Sequence, residues 1–301
     1  MRYSNFGHFV SITALLAFCC TFQGQACGQD SIVKKDVRYA NGREERHVLD
    51  IYAPAGAKAA PVVFWIHGGG WQAGDKSDVQ IKPKAFNEKG YVFVSSNYRL
   101  LPKASMEELT SDLATSLKWV HDHISEYGGD PNRIIVGGHS AGAQLAAILC
   151  TNELWTRNAG LNMSILKACI PVDGDTYDIP AIIETEEIRR RAHGMSLPTL
   201  GHRQKFGNDP LKHINFSAVT HIAKGKSIPP FYIMYVAGHP YTDIQAQRLG
   251  KELKKAGIET VLYGAAESTH NKVNAEIGNP EDPGTRGLFP FLEKALSQGP
   301  K

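Results

Sequence analysis

The segment Gly138-His-Ser-Ala-Gly142 constrains the fold more than any other, because it joins a β-rich run to an apolar helical run. Residues 133–136 precede it and residues 143–149 follow it. Glycines at its two ends permit a sharp strand-to-helix turn that lifts the Ser140 hydroxyl clear of a sheet. A bare Gly-x-Ser-x-Gly string is weak evidence, but this context predicts a serine nucleophile at the end of a strand.

The rest of the chain alternates between strand and helix patterns. Apolar runs of the kind found in strands covered on both faces occur at residues 61–66, 91–96, 168–172 and 231–236. Residues 105–127 and 243–256 instead have the three-to-four spacing of a helix with one buried face. This alternation predicts an α/β fold with a mostly parallel central sheet and helices on both faces.

One stretch, residues 175–230, interrupts the alternation. It is polar, mixed in charge and contains no convincing strand pattern, although residues 182–192 have a helical pattern. Long insertions between sheet elements commonly shape access to a site. We therefore expect a small, partial cap inserted into a single domain that spans residues 29–301.

The first 28 residues have a different composition from the rest. A short start that carries Arg2 leads into the apolar run 9–22, which is followed by small and polar residues. This pattern predicts a signal peptide, and the apolar run is too short for a membrane span. The mature chain is then secreted or periplasmic, with no stable membrane span. Its two remaining cysteines, Cys150 and Cys169, form either one disulfide or a buried apolar pair.

Charge and histidine spacing argue against several classes of partner. The net charge is +3, and the basic residues are scattered, which does not favour nucleic-acid binding. His121 and His123 resemble a ligand pair, but residues two apart on a helix point to different faces. We therefore expect no metal and no organic cofactor.

A glycine-rich loop, His67-Gly-Gly-Gly-Trp71, follows the apolar run 61–66. Backbone N–H groups in such a loop can stabilise a developing oxyanion, and Gly69 and Gly70 are the candidates, with Ala141 as a further donor. We expect His67 to hold the loop by hydrogen bonding. The candidate substrate-binding residues are Trp71 and His139.

A serine nucleophile needs a base and an acid, which follow it in the order Ser, acid, His. The favoured base is His270, in a loop beyond the strand pattern 260–263, and His239 is its main alternative. The favoured acid is Asp243, which opens a helix after the strand 231–236. Asp173 and Asp175, directly after the strand 168–172, are the alternatives.

These motifs resemble those of the α/β-hydrolase fold, in particular the carboxylesterase branch related to hormone-sensitive lipase. The closest resemblance is to secreted acetyl-xylan and feruloyl esterase-like proteins, and it covers residues 37–296. It rests on the serine and glycine motifs, Asp243 and His270, and on three further segments: Leu49-Asp-Ile-Tyr-Ala-Pro54, Asn97-Tyr-Arg-Leu100 and Tyr127-Gly-Gly-Asp-Pro-Asn-Arg-Ile134.

The resemblance implies a secreted serine carboxylesterase that acts on short-chain acyl esters, including acetyl or feruloyl esters of plant polysaccharide. Two alternatives stay open. An amide hydrolase, either an arylformamidase or a peptidase-like enzyme, can use the same triad, and a catalytically silent protein of this fold can bind ligands. The segment after Val172 is the least family-like part of the chain, so the substrate pockets cannot be read from the sequence.

Overall fold

The computed structural model describes residues 1–3, 31–193 and 201–298. The predicted signal peptide falls almost wholly outside this range, as do Cys19, Cys20 and Cys27. That assignment therefore stays a prediction.

The described residues form one eight-stranded sheet in the order β1-β2-β4-β3-β5-β6-β7-β8. Its strands are β1 (Ile32–Arg38), β2 (Val48–Ala53), β3 (Ala60–Ile66), β4 (Val92–Ser96), β5 (Gly129–His139), β6 (Leu166–Val172), β7 (Phe231–Val236) and β8 (Thr260–Ala265). Strands β3 to β8 pair in parallel, and only β2 pairs in an antiparallel way, with β1 and with β4. The carboxyl ends of the six parallel strands therefore meet at one edge.

Ten α-helices accompany the sheet in the described part of the chain. They are α1 (Lys82–Glu88), α2 (Met106–His123), α3 (Ala141–Thr151), α4 (Glu153–Asn158), α5 (Ile179–His193), α6 (His202–Phe206), α7 (Pro210–Phe216), α8 (Thr242–Lys255), α9 (His270–Ala275) and α10 (Pro283–Ser297). Within these described elements, none combines the length and apolarity that a bilayer crossing requires.

Both faces of the sheet are buried, which explains why the parallel strands read as continuous apolar runs. Along β3, Phe64 packs in the core beneath α2, α3 and α8, whereas Trp65 packs in the core beneath α1, α9 and α10. Successive side chains of a strand point to opposite faces, so a strand covered on both sides needs apolar residues at every position. The predicted α/β fold with helices on both faces is confirmed.

Some elements carry weak sequence signals and differ from the predicted pattern. Strand β1 lies at the sheet edge, and its sequence is largely polar because most of it is exposed. Strand β5 runs from Gly129 to His139, well beyond its apolar centre at residues 133–136. Cys150 and Cys169 are free, buried thiols, and burial raises the pKa of Cys169. The structure thus shows the buried pair rather than the disulfide.

The insertion at residues 175–230 contains α5, α6 and α7, and its described residues include no strand. His202 stabilises the insertion. Its side chain is 1% exposed, and its Nδ1 lies 2.9 Å from Glu186 Oε1. The other ring nitrogen, Nε2, lies 3.4 Å from Asp175 Oδ1. Burial disfavours the charged ring, but these two carboxylates outweigh it and raise the pKa of His202 to about 9.

The turn at the predicted nucleophile depends on the close approach of three backbone segments. A Cβ at Gly142 would lie 2.2 Å from the carbonyl oxygen of Ile66 at the end of β3. A Cβ at Gly138 would lie 2.4 Å from the carbonyl oxygen of Gly142 and 2.9 Å from that of Ile66. Only glycine fits at either position, because each contact is with backbone that cannot turn aside.

We expect Gly142→Ala to lower the free energy of unfolding by about 3 kcal/mol or more, since overpacking against backbone forces the strand–helix junction to shift. Urea unfolding measures this. Gly90→Ala is the control, because no atom lies within 4 Å of a Cβ there. It has a left-handed φ of +81°, so its cost is about 1 kcal/mol. Equal costs for the two variants would contradict the close-approach argument.

The ion pairs of His202 predict a pH dependence of stability. Its pKa is higher in the folded state than the ordinary value of about 6.5, so the stabilisation is complete below pH 6.5 and is lost as the pH rises through 9. We expect wild type to lose about 2–3 kcal/mol over this range relative to His202→Gln, measured by urea unfolding. Identical pH profiles for the two proteins would show that His202 is not charged in the folded state.

Candidate active site

Ser140 lies at the tip of the turn between β5 and α3, and its backbone is strained. Its φ and ψ are 57° and −120°, a combination that costs a residue with a side chain on the order of 1–3 kcal/mol. The turn is held by the N–H of Ser140, which donates to the carbonyl oxygen of Val172 over 2.9 Å. The Ser140 side chain is thereby placed at the carboxyl edge of the sheet, where it lines a cavity.

His270 lines the same cavity and begins helix α9. The Thr269 side chain caps this helix by accepting from the N–H of Lys272. Nδ1 of His270 lies 2.7 Å from Oδ2 of Asp173, so it is the nitrogen that carries the proton when Asp173 is ionised. Nε2 is then left as the basic nitrogen.

Asp173 follows β6 directly and is 1% exposed. Its Oδ1 accepts the N–H of Val236 over 2.9 Å, and its own N–H donates to the carbonyl oxygen of Met234. Burial alone would raise the pKa of this carboxyl, but the hydrogen bonds from His270 and from Val236 outweigh it and hold the pKa below its usual value. Asp173 is therefore an ionised partner for His270 at neutral pH.

The prediction of Asp243 as the triad acid is wrong. Asp243 lies in the first turn of α8, where Oδ2 accepts the N–H of Gly238 over 2.8 Å and Oδ1 lies 3.5 Å from Gln247 Nε2. It closes the loop after β7 and does not contact His270. The alternative acid site after β6, which the sequence also offered, holds the carboxylate that pairs with the base.

The other two alternatives have separate roles. Asp175 bonds to Thr176 and lies beside His202, so it belongs to the ion-pair group of the insertion. His239 Nδ1 accepts the N–H groups of Tyr241 and Thr242 at the start of α8. Neither residue lines the cavity that holds Ser140 and His270.

His139, which precedes Ser140 in the chain, forms a hydrogen bond with the backbone of His270. Its Nε2 donates to the carbonyl oxygen of His270 over 2.8 Å, and the two rings lie 4.4 Å apart. Burial, together with the nearby His270, lowers the pKa of His139 to about 3, so its ring is neutral. His139 lines the cavity, and its predicted contact with substrate stays a prediction.

The glycine loop after β3 is held by His67, as the sequence predicts. His67 Nδ1 donates to the carbonyl oxygen of Gly68 over 2.7 Å, and Nε2 lies 3.1 Å from Arg46 Nη2. Burial and the Arg46 charge lower the pKa of His67 to about 4, which keeps the ring neutral. The ring also stacks on Tyr98 at 4.4 Å.

Of the three predicted oxyanion donors, Gly69 and Gly70 line the cavity, and Ala141 is the first residue of α3. The carbonyl oxygen of Gly69 accepts from Gln72 and Ala73, which turns the loop back on itself. Among the described residues, no acceptor takes the N–H of Gly69, Gly70 or Ala141. The assignment of these groups as an oxyanion hole stays a prediction, and the arrangement leaves their N–H groups available for it.

Trp71 does not line this cavity, contrary to the sequence-based prediction. It is 2% exposed, and its indole N–H donates to Gln144 Oε1 over 3.2 Å. Its ring packs edge-on against Phe206 of α6 at 5.2 Å, and Lys205 Nζ lies 5.2 Å from it. Trp71 therefore joins the glycine loop to the insertion instead of contacting substrate.

The cavity has a volume of about 450 Å³ and lies at the carboxyl edge of β3 and β5. Besides Ser140, His139 and His270, its lining includes Trp65, His67, the glycine loop, Asp78, Gln80, Asn271, Asn274 and Ala275. In the described ranges, no group of three or more His, Cys, Asp or Glu side chains is placed to hold a metal ion. The arrangement suits nucleophilic attack by serine with histidine as base.

The family model for BD-FAE matches residues 49–235, which is more than half of the chain. The chain therefore belongs to the BD-FAE family, an α/β-hydrolase family of esterases. The matched segment contains the glycine loop, the serine turn and Asp173, and it ends before His270.

The curated proteins that the chain is similar to include named esterases. It is 27% identical to Esterase LipQ of Mycobacterium tuberculosis over 251 residues, which are 78% of this chain and 56% of that protein. The chain spans about half the length of the curated relatives that it matches first.

Solved structures show the same fold at low sequence identity. Esterase B from Lactobacillus rhamnosis matches with a TM-score of 0.71 and 20% identity, over 89% of this chain and 87% of that one. A truncated carbohydrate esterase from gut microbiota matches with a TM-score of 0.68 and 18% identity, over 91% of this chain and 99% of that one.

The acid assignment predicts opposite results for two isosteric variants. We expect Asp173→Asn to lower kcat by about 10³–10⁴-fold, because an amide cannot hold His270 in the required tautomer or stabilise its charged form. Asp243→Asn should stay within a few-fold of wild type. The measurement is p-nitrophenyl acetate hydrolysis, with circular dichroism to verify folding. A large loss in Asp243→Asn together with an active Asp173→Asn would restore the original assignment.

Proposed function

We propose that this protein is a serine carboxylesterase that hydrolyses short-chain acyl esters. One observation carries the proposal: a single cavity contains a strained, protruding serine and a histidine whose Nδ1 lies 2.7 Å from a buried, ionised carboxylate. The family and the relatives named above support the same class of reaction.

In the first half of the reaction, Ser140 Oγ attacks the ester carbonyl while Nε2 of His270 takes the serine proton. Asp173 stabilises the imidazolium that results, because its carboxylate already accepts from Nδ1. The N–H groups of Gly69, Gly70 and Ala141 stabilise the oxyanion of the tetrahedral intermediate. Ala141 also begins α3, whose positive helix terminus favours negative charge there.

In the second half, His270 gives its proton to the departing alcohol, which leaves an acyl group on Ser140. Water then attacks the acyl-enzyme, with His270 again as base, and releases the acid. His139 keeps the main chain at His270 in place throughout, because its neutral Nε2–H donates to that carbonyl.

We further propose that the natural substrates are acetyl or feruloyl esters of plant polysaccharide. The cavity wall beyond the catalytic residues carries four polar side chains: Asp78, Gln80, Asn271 and Asn274. Such a wall suits an alcohol rich in hydroxyl groups better than a long alkyl chain. The similarity to a carbohydrate esterase also supports this substrate class.

We propose that the mature protein acts outside the cytoplasm. Support comes from the first 28 residues, where an apolar run follows a short basic start and precedes small polar residues. Cleavage after such a segment would release the domain that begins near residue 29.

The substrate proposal is tested by acetate release from acetylated xylo-oligosaccharides, relative to hydrolysis of p-nitrophenyl acetate. We expect comparable kcat/KM on both, and we expect Ser140→Ala to lower both by several orders of magnitude, because it removes the nucleophile.

The two parts of the proposal fail in different ways. Fast hydrolysis of the aryl ester with none of the oligosaccharide would remove the polysaccharide substrate but keep the esterase. Retention of more than a tenth of the activity by Ser140→Ala would overturn the nucleophile. Hydrolysis of a formylated aromatic amine or a dipeptide anilide in place of the esters would favour the amide hydrolase.

A further inference from the structure

Lys82, the first residue of α1, has a fully buried side chain that the esterase mechanism does not use. Its Nζ donates to Gln80 Oε1 over 2.7 Å and lies 4.9 Å from the ring centre of Trp65. Among the described residues, no carboxylate forms an ion pair with it, and burial lowers its pKa to about 7.

A buried ammonium without a counter-ion is costly, and this chain avoids that cost elsewhere. Lys76 is also buried, but its Nζ lies 2.7 Å from Asp36 and 2.8 Å from Asp50. Within the described ranges, Lys82 Nζ contacts only an amide oxygen and the face of an indole. A methionine would fill the same space without the cost, so packing alone does not account for a lysine at this position.

Gln80 connects this buried charge to the cavity. Its Oε1 accepts from Lys82 and lies 3.4 Å from Asn274 Nδ2, so the amide oxygen is occupied. No acceptor among the described residues takes Nε2 of Gln80, and Gln80 lines the cavity. Its two N–H donors, polarised by the ammonium behind the amide, are therefore available to a bound molecule.

The same part of the cavity lies beside the residue that the proposed mechanism uses to protonate the departing alcohol. His270, which must protonate that alcohol, and Asn274 are four residues apart on α9 and share one face of the helix. Both line the cavity with Gln80. Asn274 also has a buried Oδ1 without a hydrogen-bond partner, which can accept from a hydroxyl group.

We propose that Lys82 and Gln80 form an anion-binding subsite on the alcohol side of the catalytic cavity, and that the preferred esters carry a carboxylate in their alcohol part. A uronic acid or another hydroxy acid has this chemistry. The inference rests on the proposed esterase activity and narrows its substrate class. Gln80 donates to the carboxylate, and Lys82 supplies the compensating charge.

One acidic side chain, Asp78, also lines the cavity and opposes this preference. It is exposed, so solvent and salt screen its charge, whereas the buried charge of Lys82 acts through a medium of lower dielectric. A bound carboxylate favours the protonated form of Lys82, and two unit charges about 7 Å apart at an effective dielectric constant of about 20 then favour binding by about tenfold or more.

The test compares two acetate esters that differ in charge but little in shape, 3-acetoxybenzoate and 3-acetoxybenzamide, by acetate release in dilute salt. We expect wild type to prefer the anionic ester by about tenfold in kcat/KM. Lys82→Met should abolish this ratio. Gln80→Glu should invert it, since the new carboxylate pairs with Lys82 and repels the substrate.

Lys84→Met is the matched control, because Lys84 lies on the same helix with its side chain 82% exposed, and its removal should leave the ratio unchanged. Urea unfolding should show Lys82→Met at least as stable as wild type. A wild-type ratio near one, or parallel losses on both esters in Lys82→Met, would overturn the subsite while leaving the esterase intact. Absence of Ser140-dependent hydrolysis of either ester would instead overturn the proposed function.

Discussion

The contact between the serine turn and the end of β3 is the constraint on which the site depends. Gly138 and Gly142 let the backbone of the turn approach Ile66 to a distance at which any side chain would clash. That approach holds Ser140 in a strained conformation with a φ of 57° and places the glycine loop after Ile66 beside it. The candidate nucleophile and the candidate oxyanion donors are thus positioned by one packing contact, between the ends of the neighbouring parallel strands β3 and β5.

The parallel sheet supplies the rest of the catalytic geometry. Because β5, β6 and β8 end at the same edge, residues far apart in the chain meet there: Ser140, Asp173 and His270. Asp173 is held by the ends of β6 and β7 and has no freedom to swing away. A rigid acid fixes the orientation of the imidazole ring, which is the property that catalysis requires.

The same cavity shows a division of electrostatic roles. His67 and His139 are buried and neutral, so they act as fixed hydrogen-bond donors that hold the loop and the base. Buried charge is supplied by Asp173, beside the base, and by Lys82, behind Gln80. The first charge serves the reaction common to serine esterases, whereas the second favours a particular kind of alcohol.

The sequence by itself determined the fold and indicated the candidate nucleophile and base, since these follow from local patterns: doubly apolar strands, a serine between two glycines at a strand–helix boundary, and a histidine in a loop beyond a later strand. It favoured Asp243 over Asp173 as the acid, whereas the structure places Asp173 beside His270, because each follows a strand at the correct edge and only packing decides which reaches His270. Trp71 and Lys82 are similar cases. An aromatic residue after a glycine loop is typical of a pocket, and no local pattern in the sequence marks Lys82 as buried. Only the tertiary structure decided their burial, because burial depends on which distant elements, α6 for Trp71 and the Trp65 face of the sheet for Lys82, pack against them.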